Sequence, residues 1–182
     1  VSKVFLIDIE VEIRSFITKD KFEELIEFFK KNGEYQGEDY QETFYFDCEQ
    51  DLRIQKNQNY SKVWMKKGKL HDDHREEIEI KFDKDYFETL EKLFLGLGYN
   101  VEIKWFRTRH TFLWEGISVM VDYSKGYGYI LELEKMSDDA GKEEAFLDLC
   151  KKMEGLGVTV TPKEEFSEKY LHYKENWKSL VQ

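Results

Sequence analysis

The chain has little of several features that mark particular classes of protein. Its 182 residues include one proline and two cysteines. Cys48 and Cys150 are too few for a disulfide framework, so we expect reduced thiols. No Gly/Ser-rich or low-complexity run offers a linker, and a chain of this length can bury one substantial core. We therefore expect a single domain that covers residues 1–182.

Long apolar runs and an excess of positive charge are also missing. No stretch approaches the roughly 20 apolar residues that span a bilayer, and Val1–Glu10 lacks a signal-peptide pattern. The formal net charge of -10 opposes binding of duplex nucleic acid through a general basic field. We expect a cytoplasmic protein that binds neither membrane nor nucleic acid. An anionic ligand would need a local basic cluster.

One short pattern of alternating acidic and aliphatic residues occurs three times. It covers Glu10–Arg14, Glu77–Lys81 and Glu132–Lys135. In a strand, residues two apart point to the same side, so each copy places two carboxylates on one face. Such pairs of like charges are unfavourable together unless a cation lies among them. The pattern therefore indicates a metal or polyanion site rather than ordinary surface.

Alternation of apolar and polar residues predicts about eight strands, and apolar residues at helical spacing predict four helices. The sequence therefore indicates an α+β protein. The predicted strands are Val4–Arg14, Gln41–Cys48, Asp51–Lys56, Lys62–Lys67, Arg75–Phe82, Val101–His110, Gly116–Tyr123 and Tyr127–Lys135, and the predicted helices are Lys19–Asn32, Asp85–Leu97, Ser137–Gly155 and Pro162–Leu180.

The polar face of these strands carries charges of both signs and has two interpretations. The ordinary one is a solvated face with cross-strand ion pairs, each worth roughly 0.2 to 1 kcal/mol. The other is a sheet whose apolar face is covered by helices and which closes around a charged lumen. Hard cations take carboxylate oxygens, and phosphate chains take Arg and Lys. The residues on this face are Glu10, Glu12, Arg14, Arg53, Gln55, Lys66, Arg75, Glu77, Glu79, Arg107, Arg109, Asp122, Glu132 and Glu134.

The order of the motifs resembles that of the CYTH superfamily, the triphosphate tunnel metalloenzymes. Glu10-x-Glu12-x-Arg14 is similar to the ExExK signature of that family. The resemblance implies a closed eight-stranded antiparallel β-barrel, or tunnel, with helices packed on its outside. It also implies a partner that is a triphosphate-bearing small molecule, bound by a monomer or homodimer. Further motifs match at Thr43–Asp47, Leu52–Ile54, Lys66–Gly68, Arg75–Glu79, Arg107–Arg109, Asp122, Gly126–Gly128 and Glu132–Glu134.

The resemblance also implies a role for each charged residue. Implied ligands of Mg2+ or Mn2+ are Glu10, Glu12, Asp122, Glu132 and Glu134, with Glu77 and Glu79 as further acidic lining or as ligands of a second metal. Implied phosphate contacts are Arg14, Arg53, Lys66, Arg75, Arg107 and Arg109. The catalytic group would comprise Glu10, Glu12, Arg14 and Glu134.

Three positions complicate this transfer of roles. Arg14 stands where the signature has Lys, and a guanidinium keeps its proton, so it cannot serve there as a proton donor or acceptor. Gln55 stands where many members carry a second Arg, which removes one positive charge. Either Lys66 or Lys67 could face the lumen, and strand parity favours Lys66.

The resemblance leaves three functions open. We expect a metal-dependent triphosphatase that cleaves the terminal phosphoanhydride of tripolyphosphate or of a nucleoside triphosphate. A class IV adenylate cyclase would use the same residues but would form cyclic AMP and pyrophosphate. A non-catalytic module that binds triphosphate or polyphosphate is the third possibility. The motifs do not separate them.

Overall fold

The computed structural model describes residues 9–66 and 77–182, with Lys66 and Glu77 described by their backbone alone. The predicted α+β class is confirmed, with eight strands and four α-helices in the described residues. The strands are β1 Ile9–Ile17, β2 Glu34–Phe46, β3 Asp51–Lys56, β4 Tyr60–Lys66, β5 Glu77–Asp83, β6 Val101–Trp114, β7 Ile117–Ser124 and β8 Gly128–Ser137. The helices are α1 Lys19–Asn32, α2 Phe87–Gly96, α3 Lys142–Gly155 and α4 Lys163–Leu180, with a 3-10 turn at Lys84–Tyr86.

The eight strands form one sheet that is not closed, so the prediction of a closed barrel or tunnel is wrong. The strand order is β1-β8-β7-β6-β2-β3-β4-β5. Strand β1 pairs antiparallel with β8, and β5 pairs antiparallel with β4. Within the described residues, β1 and β5 are therefore the two edge strands. Apolar/polar alternation is the same in an open and a closed sheet, so the sequence pattern could not show whether the sheet closes.

The free edge of β1 is covered by the segment that precedes α4. The backbone N–H of Phe16 donates to Thr161 Oγ1 at 3.0 Å. The buried Ser15 hydroxyl lies 2.5 Å from the Thr159 carbonyl oxygen, to which it donates, and 2.8 Å from Thr161 Oγ1. The Thr161 hydroxyl thus satisfies the Phe16 N–H, a strand-edge group that a closing strand would otherwise pair. This explains physically why β1 needs no second neighbouring strand at this point.

The backbone divides into two compact units, which we describe separately. The described residues of the first unit are 9–38, 109–123 and 127–169. Its core joins apolar residues of β1, β6, β7 and β8 to the inner faces of α1 and α3. Its buried side chains are Ile13, Leu25, Ile26, Phe29, Phe112, Ile117, Val119, Val121, Leu131, Leu133, Leu149, Met153, Leu156 and Val158.

The described residues of the second unit are 39–66, 77–108, 124–126 and 170–182. Its core is a smaller cluster in which α2 packs on β2 and β3, with Phe44, Phe46, Ile54, Phe87 and Leu90 buried. Side chains in the second half of α4 donate hydrogen bonds to backbone carbonyls of β6. Tyr173 Oη donates to the Lys104 carbonyl at 2.8 Å, and Trp177 Nε1 donates to the Glu102 carbonyl at 2.8 Å.

Local signals explain where α1 begins and ends. Thr18 Oγ1 accepts from the Lys21 N–H at 3.2 Å, which caps the first turn. The helix stops before Gly33, where a Cβ would meet the Leu113 carbonyl oxygen at 3.0 Å.

Both cysteines are free, as the composition predicts. Among the residues described, every helix is too short or too polar to cross a bilayer.

We predict that Thr161→Ala lowers the free energy of unfolding by about 1 to 3 kcal/mol. The substitution removes the acceptor of the Phe16 N–H and the partner of a buried serine hydroxyl. Chemical denaturation measures the loss. Thr159→Ala is the matched control, because Thr159 contributes its backbone carbonyl to this contact. Equal losses in the two variants would contradict the role given to the Thr161 hydroxyl.

Candidate functional site

The register of β1 and β8 brings acidic side chains of the two strands together in the first unit. Glu12 lies directly opposite Glu134, and Arg14 lies opposite Glu132. Glu10, Glu12 and Arg14 are exposed on β1, whereas the intervening Ile13 is buried on the other face. We call Glu10, Glu12, Asp122, Glu132 and Glu134 the carboxylate cluster. These are the five residues for which the sequence analysis implies metal binding, a role that stays a prediction.

Burial and neighbouring carboxylates both disfavour the ionised form of Glu134. Its pKa is raised from 4.5 to about 7. Burial is the largest cause, followed by repulsion from Glu10, Glu132 and Glu12, and the attraction of Arg109 only partly offsets them. A carboxylate with this pKa is partly protonated at neutral pH. A bound cation would remove the need for that proton.

Arg109 is the cation held within the cluster. Its Nε donates to both Asp122 oxygens at 2.9 and 3.1 Å, and its Nη2 donates to Asp122 Oδ2 at 2.7 Å. The same Nη2 reaches Glu132 Oε1 at 3.3 Å. Burial alone would lower the pKa of Arg109, but the carboxylates raise it above its ordinary value. Arg109 therefore neutralises part of the cluster, with Asp122 only 2% exposed.

Arg14 is held by an aromatic ring. Its guanidinium carbon lies 4.6 Å from the centroid of the Phe166 ring on α4. Phe166 in turn stacks on Phe16 with ring centroids 4.2 Å apart. A planar guanidinium stacks on such a ring better than an ammonium does. Arg14, which stands where the signature has lysine, therefore has an aromatic partner that suits a guanidinium.

The donor chemistry of the cluster fits a hard divalent cation, although its side chains have not converged on one point. Carboxylate oxygens are the ligands that Mg2+ and Mn2+ prefer. Among the described residues, no three acidic, histidine or cysteine side chains are close enough to hold an ion as they stand. Asp122 and Glu132 face Arg109, whereas Glu10 and Glu12 are exposed. Metal binding would therefore require side-chain rotation of exposed glutamates.

Arg53 lies in the second unit and is tied to a carboxylate. Its Nε and Nη2 donate to the two oxygens of Asp51 at 2.6 and 2.5 Å. Its guanidinium carbon lies 4.3 Å from the centroid of Tyr45 and 5.5 Å from that of Trp64. Nearby, burial and Tyr45 raise the pKa of Tyr170. Arg53 is consequently oriented by a charged partner and two rings.

Arg107, also in the second unit, donates through the same two nitrogens as Arg53, but their acceptor is a neutral amide oxygen. Its Nε and Nη2 both donate to Gln41 Oε1, at 2.9 and 2.5 Å. Gln55, which is 6% exposed, donates to Thr43 Oγ1 at 2.9 Å. Gln55, which stands where many family members carry a second arginine, is therefore part of a buried hydrogen-bond network.

Three of the remaining predicted residues, Lys66, Glu77 and Glu79, lie on β4 and β5 of the second unit. Glu79 receives a hydrogen bond from Lys62 at 2.8 Å and lies 3.5 Å from Lys81. These lysines, with the Lys62 hydrogen bond as the largest cause, lower the pKa of Glu79. Lys66 pairs with Glu77 in backbone register. Arg75 and Lys67 lie outside the described residues.

Sequence reasoning missed the partners that orient the arginines. Asp51 is two residues before Arg53, and Gln41 is two residues before Thr43, so strand parity places each on the polar face. That parity was the available signal for both. Phe166 gave no such signal, because it belongs to a helix far from Arg14 along the chain.

Comparison with known proteins identifies a family and its fold. A model of the CYTH domain matches residues 8–165. No curated protein matches the sequence. The solved PH1819 protein of Pyrococcus horikoshii is 23% identical with a TM-score of 0.69, covering 90% of this chain and 98% of that chain.

Two further solved structures share the fold at lower identity. A candidate adenylate cyclase from Vibrio parahaemolyticus is 17% identical with a TM-score of 0.63, covering 87% of this chain and 98% of that chain. A candidate adenylyl cyclase from Hippeastrum, described as having a dominant triphosphatase activity, is 16% identical with a TM-score of 0.60. That match covers 84% of this chain and 89% of the other. At these identities the likeness concerns the fold alone.

We predict that the metal-free protein loses stability as pH rises from about 5 to 8, with Glu134 as a main cause. The folded pKa of about 7 exceeds the ordinary 4.5, so the folded state keeps a proton that the unfolded state has lost. The stabilisation is complete below pH 4.5 and is lost as pH rises through 7. Thermal melts of Glu134→Gln should therefore show a flatter pH dependence than wild type. Glu168→Gln, on an exposed face of α4, serves as control, and equal slopes in all three proteins would contradict the prediction.

Proposed function

Because the chain belongs to the CYTH domain family, we propose that it is a divalent-metal-dependent triphosphatase. Its substrate would be tripolyphosphate or a nucleoside triphosphate, hydrolysed at the terminal phosphoanhydride. The observation that carries this proposal is the carboxylate cluster, in which burial and then mutual repulsion raise the pKa of Glu134 to about 7. The triphosphatase activity described for the Hippeastrum protein of the same fold supports it.

We propose that the carboxylate cluster holds the metal. The CYTH superfamily is divalent-metal dependent, and Mg2+ or Mn2+ suits a set of oxygen donors. A bound divalent ion neutralises phosphoryl charge and polarises the phosphorus for attack. Glu10, Glu12 and Glu134 are the members without an arginine hydrogen bond in the described structure, so they are the first candidates. The metal-binding roles of Glu77 and Glu79 remain predictions, since two lysines already surround Glu79.

The chain's own residues would bind phosphate and release a proton. Arg14 and Arg107 would bind phosphate oxygens through charge-assisted hydrogen bonds from their guanidinium groups. Glu134, with a pKa of about 7 before any cation binds, would release its proton when the cation binds and would then act as an ionised ligand. We propose the same phosphate-binding role for Arg53, Lys66, Arg75 and Arg109, of which Arg53 and Arg109 already donate to carboxylates.

An adenylate cyclase is the second candidate, because the Vibrio parahaemolyticus neighbour is described as a candidate of that class. In that reaction the ribose hydroxyl attacks the α-phosphorus and pyrophosphate leaves. The two reactions differ in the phosphorus that is attacked. The cytoplasmic location and the monomeric or homodimeric state remain predictions, as does the action of residues 1–182 as one domain.

We predict that the protein with Mn2+ turns over tripolyphosphate at least as well as ATP, because the candidate residues recognise phosphate and include no base-reading motif. ATP should give ADP and orthophosphate. Chromatography of the nucleotide products measures this outcome. Cyclic AMP with pyrophosphate as the main products would replace the proposal with the cyclase. Tight binding without turnover would replace it with a binding module.

We predict that Mn2+ stabilises the wild type by about 2.7 kcal/mol when its concentration is 100 times the dissociation constant. Glu12→Gln and Glu134→Gln should each keep or raise the stability of the metal-free protein, because like-charge repulsion falls. Both should lose most of the stabilisation by Mn2+. Thermal melts with and without Mn2+ measure both effects, with Glu168→Gln as the control. Full stabilisation by Mn2+ in both variants would exclude the cluster as the metal site.

A further inference from the structure

The hydrogen bonds around Gln41 fix the direction of its amide. Its Nε2 donates to Asp39 Oδ2 at 2.8 Å, and Asn57 Nδ2 donates to the same oxygen at 3.1 Å. Its Oε1 accepts from Arg107 and, at 3.4 Å, from Gln55 Nε2. The amide nitrogen therefore faces a carboxylate, and the amide oxygen faces a guanidinium. No other orientation of this amide satisfies both neighbours.

The same network restrains Gln41 from the side of β3. Gln55 lies opposite Thr43 in the β2–β3 register, and its Nε2 donates to Thr43 Oγ1 at 2.9 Å. Gln55 and Thr43 are 6% and 5% exposed. A buried and satisfied network of this kind holds its members in one arrangement. Gln41 thus presents a fixed acceptor to Arg107.

At the Nε and Nη2 edge, the acceptor that Arg107 uses differs in charge from the acceptors that Arg53 and Arg109 use. All three arginines use Nε and Nη2 for the contact. Arg53 donates these groups to Asp51, and Arg109 donates them to Asp122. Arg107 donates them to the neutral Gln41 oxygen. The amide orients the guanidinium without placing an opposite formal charge on that edge.

We propose that Gln41 is a positioning residue for triphosphate binding, acting through Arg107. Its neutral oxygen orients the Arg107 guanidinium for contact with phosphate oxygens and adds no negative charge at the Nε and Nη2 edge. Asp39, Gln55 and Thr43 hold Gln41 in place. This inference rests on the proposed function, because it assumes that Arg107 binds the phosphate chain.

The first test is a double-mutant cycle with tripolyphosphate and Mn2+. Gln41→Met keeps the length of the side chain and removes the acceptor, and it should raise KM about 10-fold with kcat nearly unchanged. In the Arg107→Ala background the same substitution should have no further effect, because its partner is gone. An unchanged KM in Gln41→Met, or an equal rise in both backgrounds, would overturn the proposal. Lys92→Ala, exposed on α2, controls for a diffuse charge effect.

A second variant separates orientation from charge. The double substitution Asp39→Asn with Gln41→Glu moves the carboxylate from position 39 to position 41. The formal charge is conserved, and the amide introduced at position 39 can donate to the carboxylate introduced at position 41. Arg107 would keep its acceptor but would face a negative charge. KM should again rise about 10-fold, because that charge offsets the attraction of Arg107 for the anion. A KM equal to that of wild type would overturn the claim for a neutral partner.

A spectroscopic readout tests the positioning without any triphosphate. The Nε–H of Arg107, assigned by its loss in Arg107→Lys, should exchange slowly in wild type and fast in Gln41→Met. Slow exchange in both would overturn the proposal. If wild type neither binds nor hydrolyses tripolyphosphate, the proposed function and the phosphate role of Gln41 both fail. Gln41-dependent exchange would then show that the contact itself is correct and that the error lies in the ligand.

Discussion

Repulsion among carboxylates on paired strands is the constraint on which the site depends. The antiparallel register of β1 and β8 sets Glu12 against Glu134, and burial, followed by repulsion from Glu10 and Glu132, raises the Glu134 pKa. The core holds this register, because Ile13 and Leu133 are buried on the opposite face of the same two strands. A slip by one residue would turn those apolar side chains outward. Packing therefore maintains a charge arrangement that is unfavourable by itself.

The arginines of the two units, taken separately, have different partners. In the first unit, Arg109 offsets Asp122 and Glu132 from within the cluster, while Arg14 stacks on Phe166. In the second unit, Arg53 is balanced by Asp51, whereas Arg107 is oriented by the neutral Gln41. The acceptors that orient the Nε and Nη2 edges of these guanidinium groups therefore differ in charge.

Much of this could be predicted from the sequence, because strand periodicity fixes which side chains share a face. The bounds of α1 and β3 match their predicted ranges, and the carboxylate cluster contains every acid predicted from β1, β7 and β8. Closure of the sheet could not be predicted, since alternation does not encode the hydrogen-bond partner of an edge strand.

The covering of β1 by Thr161 depends on contacts between segments that are distant along the chain. The same limitation applies to Phe166, because no sequence periodicity predicts its contact with Arg14. The partners of Arg53 and Arg107 differ in how far the sequence predicts them. Asp51 follows from residue parity, but the importance of Gln41 appears only when its amide hydrogen bonds are known.

The most direct measurement of the central claim is the number of protons released when Mn2+ binds the metal-free protein. Calorimetry in buffers of different ionisation enthalpy gives that number, because binding to a protonated carboxylate must displace its proton. With the pKa of Glu134 at about 7, binding at pH 6.5 should release a substantial fraction of one proton, and binding at pH 8.5 should release almost none. Glu134→Gln should lose this pH dependence. Tight Mn2+ binding with no proton release at either pH would contradict the account.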